Sequence, residues 1–133
     1  MISTLWMKNT LKAAGIYNIL WGAWVVLFPT HFFELVGMQP VNHEVIWQGM
    51  GMVIGVYGLG YWWAASDPLT HWPIVAVGLL GKFFGPVGFF MNYLSGKIPF
   101  EFIYTMFTND FIWWIPFTLI LIEANKKQKI KWL

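Results

Sequence analysis

The chain contains no cysteine and no arginine. The first absence excludes disulfides, thiolate metal sites and thiol-based redox catalysis, and it leaves the redox compartment undetermined. The second removes any bidentate guanidinium clamp for phosphate or carboxylate. Charge of either sign is scarce. Charged residues make up 11% of the 133 positions, where a soluble domain carries roughly 25%. Glycine-rich phosphate loops, serine–histidine–aspartate arrangements and paired catalytic carboxylates are absent as well. The net charge of +2 gives no sign of nucleic-acid binding. What fills the chain is apolar and aromatic: 58% hydrophobic and 20% aromatic residues, with a mean hydropathy of +0.58. This is the composition of an integral membrane protein, one domain over residues 1–133 with no room for a second.

Four apolar segments follow one another, at approximately residues 11–28, 45–65, 72–94 and 102–122. Their lengths suit membrane-spanning helices. The expected fold is therefore all-α, an up-down four-helix transmembrane bundle. Lys8 and Lys12 ahead of the apolar run give the first segment some look of a signal peptide, but small-residue cleavage chemistry is missing and the segment is read as retained. Asp67 and Pro68, between segments two and three, are expected to cap and open the third helix. The Pro29–Glu44 loop carries Phe32, Phe33, Leu35 and Val36 and is expected to hold a short amphipathic turn.

Lysine placement orients the chain. Lys8, Lys12, Lys126, Lys127, Lys129 and Lys131 fall on the side of the termini, and Lys97 alone on the other. The positive-inside rule puts both termini in the cytoplasm of a bacterial inner membrane, with the Lys126–Lys131 tail as an anchor to anionic lipid. Trp6, Trp62, Trp63, Trp72 and Trp132 are expected at the inner interface and Trp47 at the outer.

Lys82 and Asp110 are the residues out of place. Each sits near the middle of an apolar segment, where a charge costs about 2.5–3.5 kcal/mol on insertion scales. They fall at similar depth on consecutive antiparallel segments and are expected to pair. Asn109 and Asn18 lie at comparable depth, as does Tyr57, with Trp113 and Trp114 close by. These residues form a candidate buried polar patch, either a structural ion pair or a ligand site. Pro86 removes the hydrogen bond to the carbonyl of Lys82, and Pro116 that to Ile112. Gly51 with Gly55, and Gly81 with Gly85, form small-xxx-small pairs that read as helix packing within the bundle or as a dimer seam. Weak metal candidates are His31, Glu34, His43 and Glu44 in the outer loop. Their spacing matches no metal motif, so no metal is expected. No histidine lies inside a span, which excludes a bis-histidine haem, and no cofactor is assigned.

With these motifs in view, a resemblance can be stated. Four short spans and a glycine-rich second span resemble the DoxX-like group of small bacterial membrane proteins. Trp47-Gln48-Gly49-Met50-Gly51, Gly58-x-Gly60-Tyr61, Gly81-Lys82, Gly85-Pro86 and Asn109-Asp110-Phe111-Ile112-Trp113-Trp114 resemble a narrower, uncharacterised family of four-span membrane proteins. Members of that family are sometimes labelled alkyl hydroperoxide reductase, an activity that needs a peroxidatic cysteine this chain lacks. The resemblance implies a membrane protein associated with redox or stress systems and supplies no catalytic residues.

Three function classes follow. The first is a non-enzymatic membrane protein, with the lipid bilayer as its first partner, that binds an apolar ligand or a partner subunit around Lys82 and Asp110. The second is a proton-coupled small transporter working as a homodimer. The third is a membrane enzyme acting on lipid or quinone with Asp110 or Lys82 as acid or base.

Overall fold

The structure, a computed structural model, describes residues 4–129. All regular structure among the described residues is helical. Helix α1 spans Leu5–Leu27, a short α2 spans His31–Val36, α3 spans Glu44–Ala64 and α4 spans Trp72–Leu94. A continuous helical stretch follows. It opens with a 3₁₀ turn at Phe100–Phe102, continues through α5 at Ile103–Met106 and a π turn at Phe107–Phe111, and ends as α6 at Ile112–Gln128. Three of these stretches, Leu5–Leu27, Trp72–Leu94 and Phe100–Gln128, are long and apolar enough to cross a membrane. Helix α3 is comparably long, but its five glycines dilute its hydropathy. Lys131 and Trp132 lie outside the described residues.

The helix ends differ from the sequence expectation where polar residues tolerate helix. Helix α1 starts at Leu5 and so includes Lys8 and Lys12, and α6 runs on through Lys126 and Lys127. Lysine is a good helix former and does not stop one. Asp67 does not cap α4. It closes a tighter turn instead, accepting from Thr70 N (3.3 Å) and Thr70 Oγ1 (2.7 Å). Helix α4 begins five residues later with Pro73 in its first turn.

Consecutive long helices run antiparallel. Gly15 of α1 faces Gly58 of α3, and Gly22 faces Gly51. Both pairs are seven residues apart on their helices, two turns on one face. A side chain at Gly22 would run into the backbone of Gly51 and Gly55, and one at Gly58 into the Gly15 carbonyl oxygen at 2.6 Å. The two backbones therefore touch, and the absence of side chains is what permits it. Gln48 Nε2 donates to Val26 O (2.9 Å) and Asn18 Nδ2 to Ile54 O (3.2 Å), tying the same pair of helices together.

Two apolar clusters close the ends. At the end holding the chain termini, Met7, Leu11 and Ala14 pack with Tyr61, Ala64, Val75, Phe117 and Ile120. Gln128 Nε2 donates there to Leu69 O (2.6 Å) and pins the end of α6 to the α3–α4 turn. At the other end, Phe32 packs edge to face with Phe33 and Phe102, Trp47 does so with Phe102, and Phe33 meets Trp47 at a tilt. Trp47 is thus an interior ring, 8% exposed, where an outer interfacial anchor was expected. The loop before it folds back as α2 and buries Phe32 and Phe33 over it.

Candidate functional site

The π turn at Phe107–Phe111 builds the centre of the molecule. A π turn adds a residue to the helical repeat and re-aims the carbonyls around it, and such turns recur at functional sites. Here the carbonyl of Thr108 accepts from Trp113 Nε1 (2.8 Å), and that of Asn109 accepts from Lys82 Nζ (2.5 Å). Tyr17 of α1 reaches across the bundle, with its hydroxyl oxygen 2.6 Å from both Asn109 Oδ1 and Thr108 Oγ1. The widened turn is therefore held by α1 on one side and α4 on the other.

Pro86 frees the Lys82 carbonyl, and the structure shows what takes it: Trp114 Nε1 donates to Lys82 O at 2.9 Å. The ammonium of the same residue lies 5.6 Å from the Tyr61 ring, 5.7 Å from Trp113 and 5.9 Å from Phe117. Aromatic faces at this range attract a cation. Lys82, 6% exposed, is thus fixed at both ends, with its backbone held by one tryptophan and its ammonium by a carbonyl and three rings.

Asp110 is different. It is 7% exposed, and its carboxylate packs over Gly85, where a methyl group would lie 3.2–3.5 Å from the carboxylate atoms. The pair expected with Lys82 is not made. The ammonium goes to the neighbouring backbone carbonyl, and the ion pair present among the described residues is Lys126–Glu123 at 2.7 Å, near the end of α6. The π turn explains the difference, because it presents the Asn109 carbonyl in the position where a carboxylate was anticipated. Asp110 accepts no hydrogen bond from any described residue.

The carboxylate faces a cavity of about 330 Å³. From α1 come Asn18 and Trp21, and from α3 Trp47, Met50, Val53, Ile54, Tyr57 and Tyr61. Helix α4 supplies Gly78, Gly81, Lys82 and Gly85, while Phe102, Thr105, Met106, Asn109 and Asp110 close the remaining wall. Helices α3 and α4 touch near their shared turn, where Tyr61 covers Gly78 and Gly60 meets Ile74. Farther along, their facing residues Met50, Val53, Tyr57, Gly81 and Gly85 are exposed. The cavity opens sideways through that gap.

Of the sequence candidates, Lys82, Asp110, Asn109, Asn18 and Tyr57 line this one cavity, while Trp113 and Trp114 touch Lys82 from behind. Gly51 and Gly55 lie at the α1–α3 contact. Gly81 and Gly85 pack no helix. A methyl group at Gly81 would meet no described atom within 4 Å, and one at Gly85 would meet the Asp110 carboxylate. The outer-loop candidates do not converge. His31 Nδ1 accepts from Trp24 Nε1 (2.9 Å), Glu34 Oε1 accepts from Thr30 Oγ1 (2.8 Å), and His43 and Glu44 stand at the start of α3. No three potential ligands gather for a metal among the described residues.

Sequence reading missed Tyr17, Tyr61 and Thr105. Tyr17 precedes Asn18, and Tyr61 stands one helical turn after Tyr57, so depth alone would have found both. It also missed Trp47 as a lining residue whose buried Nε1 has no acceptor among the described residues. Known proteins add no further constraint: no family model, no curated protein and no solved structure matches the chain.

Proposed function

We propose that this is a four-span membrane protein whose central cavity binds an apolar molecule drawn from the bilayer through the gap between α3 and α4. One observation carries the reading: a buried carboxylate accepts no hydrogen bond from the described residues and faces a mostly apolar cavity. Burying a carboxylate without a hydrogen bond is costly, so such a group marks a place where something else is accommodated. Helix α3 serves as the fourth span. Its 21 residues give about 32 Å at 1.5 Å per residue, enough for a hydrocarbon core of about 30 Å. Its outer face carries Val45, Ile46, Met52 and Val56, all exposed. Lys8, Lys12, Lys126, Lys127 and Lys129 gather at the end with the α3–α4 turn, which favours a cytoplasmic location for that end.

The test is native mass spectrometry in mild detergent on the wild type and on Gly81→Leu. That substitution fills the cavity without entering a helix contact. The expected result is an apolar adduct on the wild type that disappears from the variant while its melting temperature holds. Equal adducts on both proteins would count against the cavity as the site. The same buried carboxylate, without a hydrogen bond from the described residues, favours a proton-coupled carrier as the second reading. It requires Asp110→Asn to abolish a pH-gradient-driven flux in proteoliposomes while adduct binding persists.

A further inference from the structure

Lys82 and Asp110 line one cavity from neighbouring helices and are nearly fully buried, yet they do not meet as an ion pair. Between them they carry one positive and one negative charge. Moving a proton from the ammonium to the carboxylate leaves the sum at zero. A charged head group entering this space would add an uncompensated charge where screening is weak. A neutral head adds none.

The hydrogen-bonding inventory narrows the head further. The Asp110 carboxylate offers lone pairs that no described residue uses. Lys82 commits one N–H to Asn109 O and has two more. Asn18 gives its amide to Ile54 O, and its Oδ1 accepts from no described residue. The two walls thus present acceptors on one side and donors on the other. A hydroxyl both donates and accepts from a single oxygen. It also fits if the proton has moved, because Asp110 then donates and Lys82 accepts.

Size sets the remainder of the molecule. A volume of about 330 Å³ lies at the small end of ligand pockets, which run from roughly 300 to 1,000 Å³. It takes a head group and the start of a chain. The cavity opens at the gap beside Met50, Val53 and Gly81, among residues whose outer surfaces are apolar.

We infer that the site takes a neutral, hydroxyl-headed amphiphile, its hydroxyl bridging Lys82 and Asp110 and its tail leaving between α3 and α4 into the bilayer. The inference rests on the cavity being a bilayer-facing binding site. The hydroxyl can come from a phenolic isoprenoid or alkyl chain, or from a glycerolipid with a free hydroxyl.

The protein in phosphatidylcholine nanodiscs is photolabelled with four probes. All carry the same diazirine-bearing chain, and their heads are a phenol, a diacylglycerol, an alkylammonium and an alkylcarboxylate. Peptide mass spectrometry then locates the adducts. One of the two hydroxyl probes is expected to label residues 50–57 and 81–88 at least about tenfold above both charged probes. That labelling should vanish in Gly81→Leu and fall in Asp110→Leu, and the better hydroxyl probe identifies the source. Equal labelling by all heads, or preference for a charged head, with sensitivity to Gly81→Leu retained, overturns the hydroxyl inference and leaves the binding site standing. Cleft labelling by no probe, or labelling that Gly81→Leu does not change, overturns both.

Discussion

Two glycine-bearing faces in this molecule are put to opposite use. On α1 and α3, Gly15, Gly22, Gly51 and Gly58 let two backbones touch, and a side chain at Gly22 or Gly58 would strike main-chain atoms that cannot yield. On α4, beyond Gly78, which Tyr61 covers, Gly81, Gly85 and Gly88 lie on one face at four- and three-residue spacing. There a side chain at Gly81 or Gly88 would meet no described atom within 4 Å, and one at Gly85 would meet a carboxylate. The first face is a contact and the second is the wall of a space. A small-xxx-small pattern therefore reports that bulk is excluded. What occupies the position instead depends on the neighbouring helix. Helix α3 lies flush against α1, whereas beyond Tyr61 it diverges from α4.

The largest expected effect breaks the first face. Gly58→Leu places a branched side chain against the Gly15 carbonyl and Ile19, where no rotamer change relieves it. Overpacking of this kind costs about 1–3 kcal/mol, and more against backbone. The folded yield in detergent and the melting temperature should both drop sharply. Gly49→Leu on the same helix, at a position with no described atom within 4 Å, should leave both nearly unchanged.

Next comes the cage that separates Lys82 from Asp110. Lys82→Met removes a charged hydrogen bond to the Asn109 carbonyl, an interaction of about 1.5–3 kcal/mol. Stability should fall by that order. Because the two charges do not touch, a double-mutant cycle of Lys82→Met with Asp110→Asn should show coupling well below the value for a contacting buried pair, where losing one partner costs about 3–5 kcal/mol. Coupling of that size would restore a direct ion pair and shrink the contrast between the two faces. Trp114→Phe tests the other end of Lys82. It leaves a proline-freed carbonyl without its donor and should cost about 1–3 kcal/mol if that carbonyl stays buried.

How much of this was legible in the sequence follows from what each signal measures. Hydropathy and length gave the helical class and placed Trp72–Leu94 to the residue, because an aromatic start and a Ser95-Gly96 stop bracket an unbroken apolar run. Depth counting drew Lys82, Asp110, Asn109, Asn18 and Tyr57 towards one patch, since antiparallel helices of similar length bring equal depths together. The π turn was not legible. Nothing in Phe107–Phe111 signals an extra residue per turn, and that turn decides that Lys82 binds a carbonyl. The role of Trp114 was half visible, since Pro86 announces a free carbonyl and only the fold shows which donor arrives. The two uses of glycine could not be separated from spacing alone.

The smallest effect lies at the turn joining the two faces. The Thr70 hydroxyl hydrogen-bonded to Asp67 holds that exposed carboxyl below the usual carboxylate range. A depressed folded-state value means the contribution is complete above the unfolded value, near 3.9, and is lost as pH falls through the lower folded one. Thr70→Val should lower stability slightly at neutral pH, and the difference from the wild type should close as pH falls below about 4, flattening the acid limb as followed by thermal unfolding across a pH series. A loss that persisted undiminished at the acid end would show that Thr70 acts through something other than the Asp67 carboxylate.

The contrast between the faces is tested most directly by one paired measurement, the melting temperatures of Gly22→Leu and Gly81→Leu in the same detergent. The two substitutions add identical atoms to the interiors of two long helices. The account predicts that Gly22→Leu fails to fold or melts far below the wild type, while Gly81→Leu melts at or above it, since leucine is the better helix former. A comparable loss in both variants would contradict it, because Gly81 would then be packed against a helix and the space beside Asp110 would not be a binding cavity.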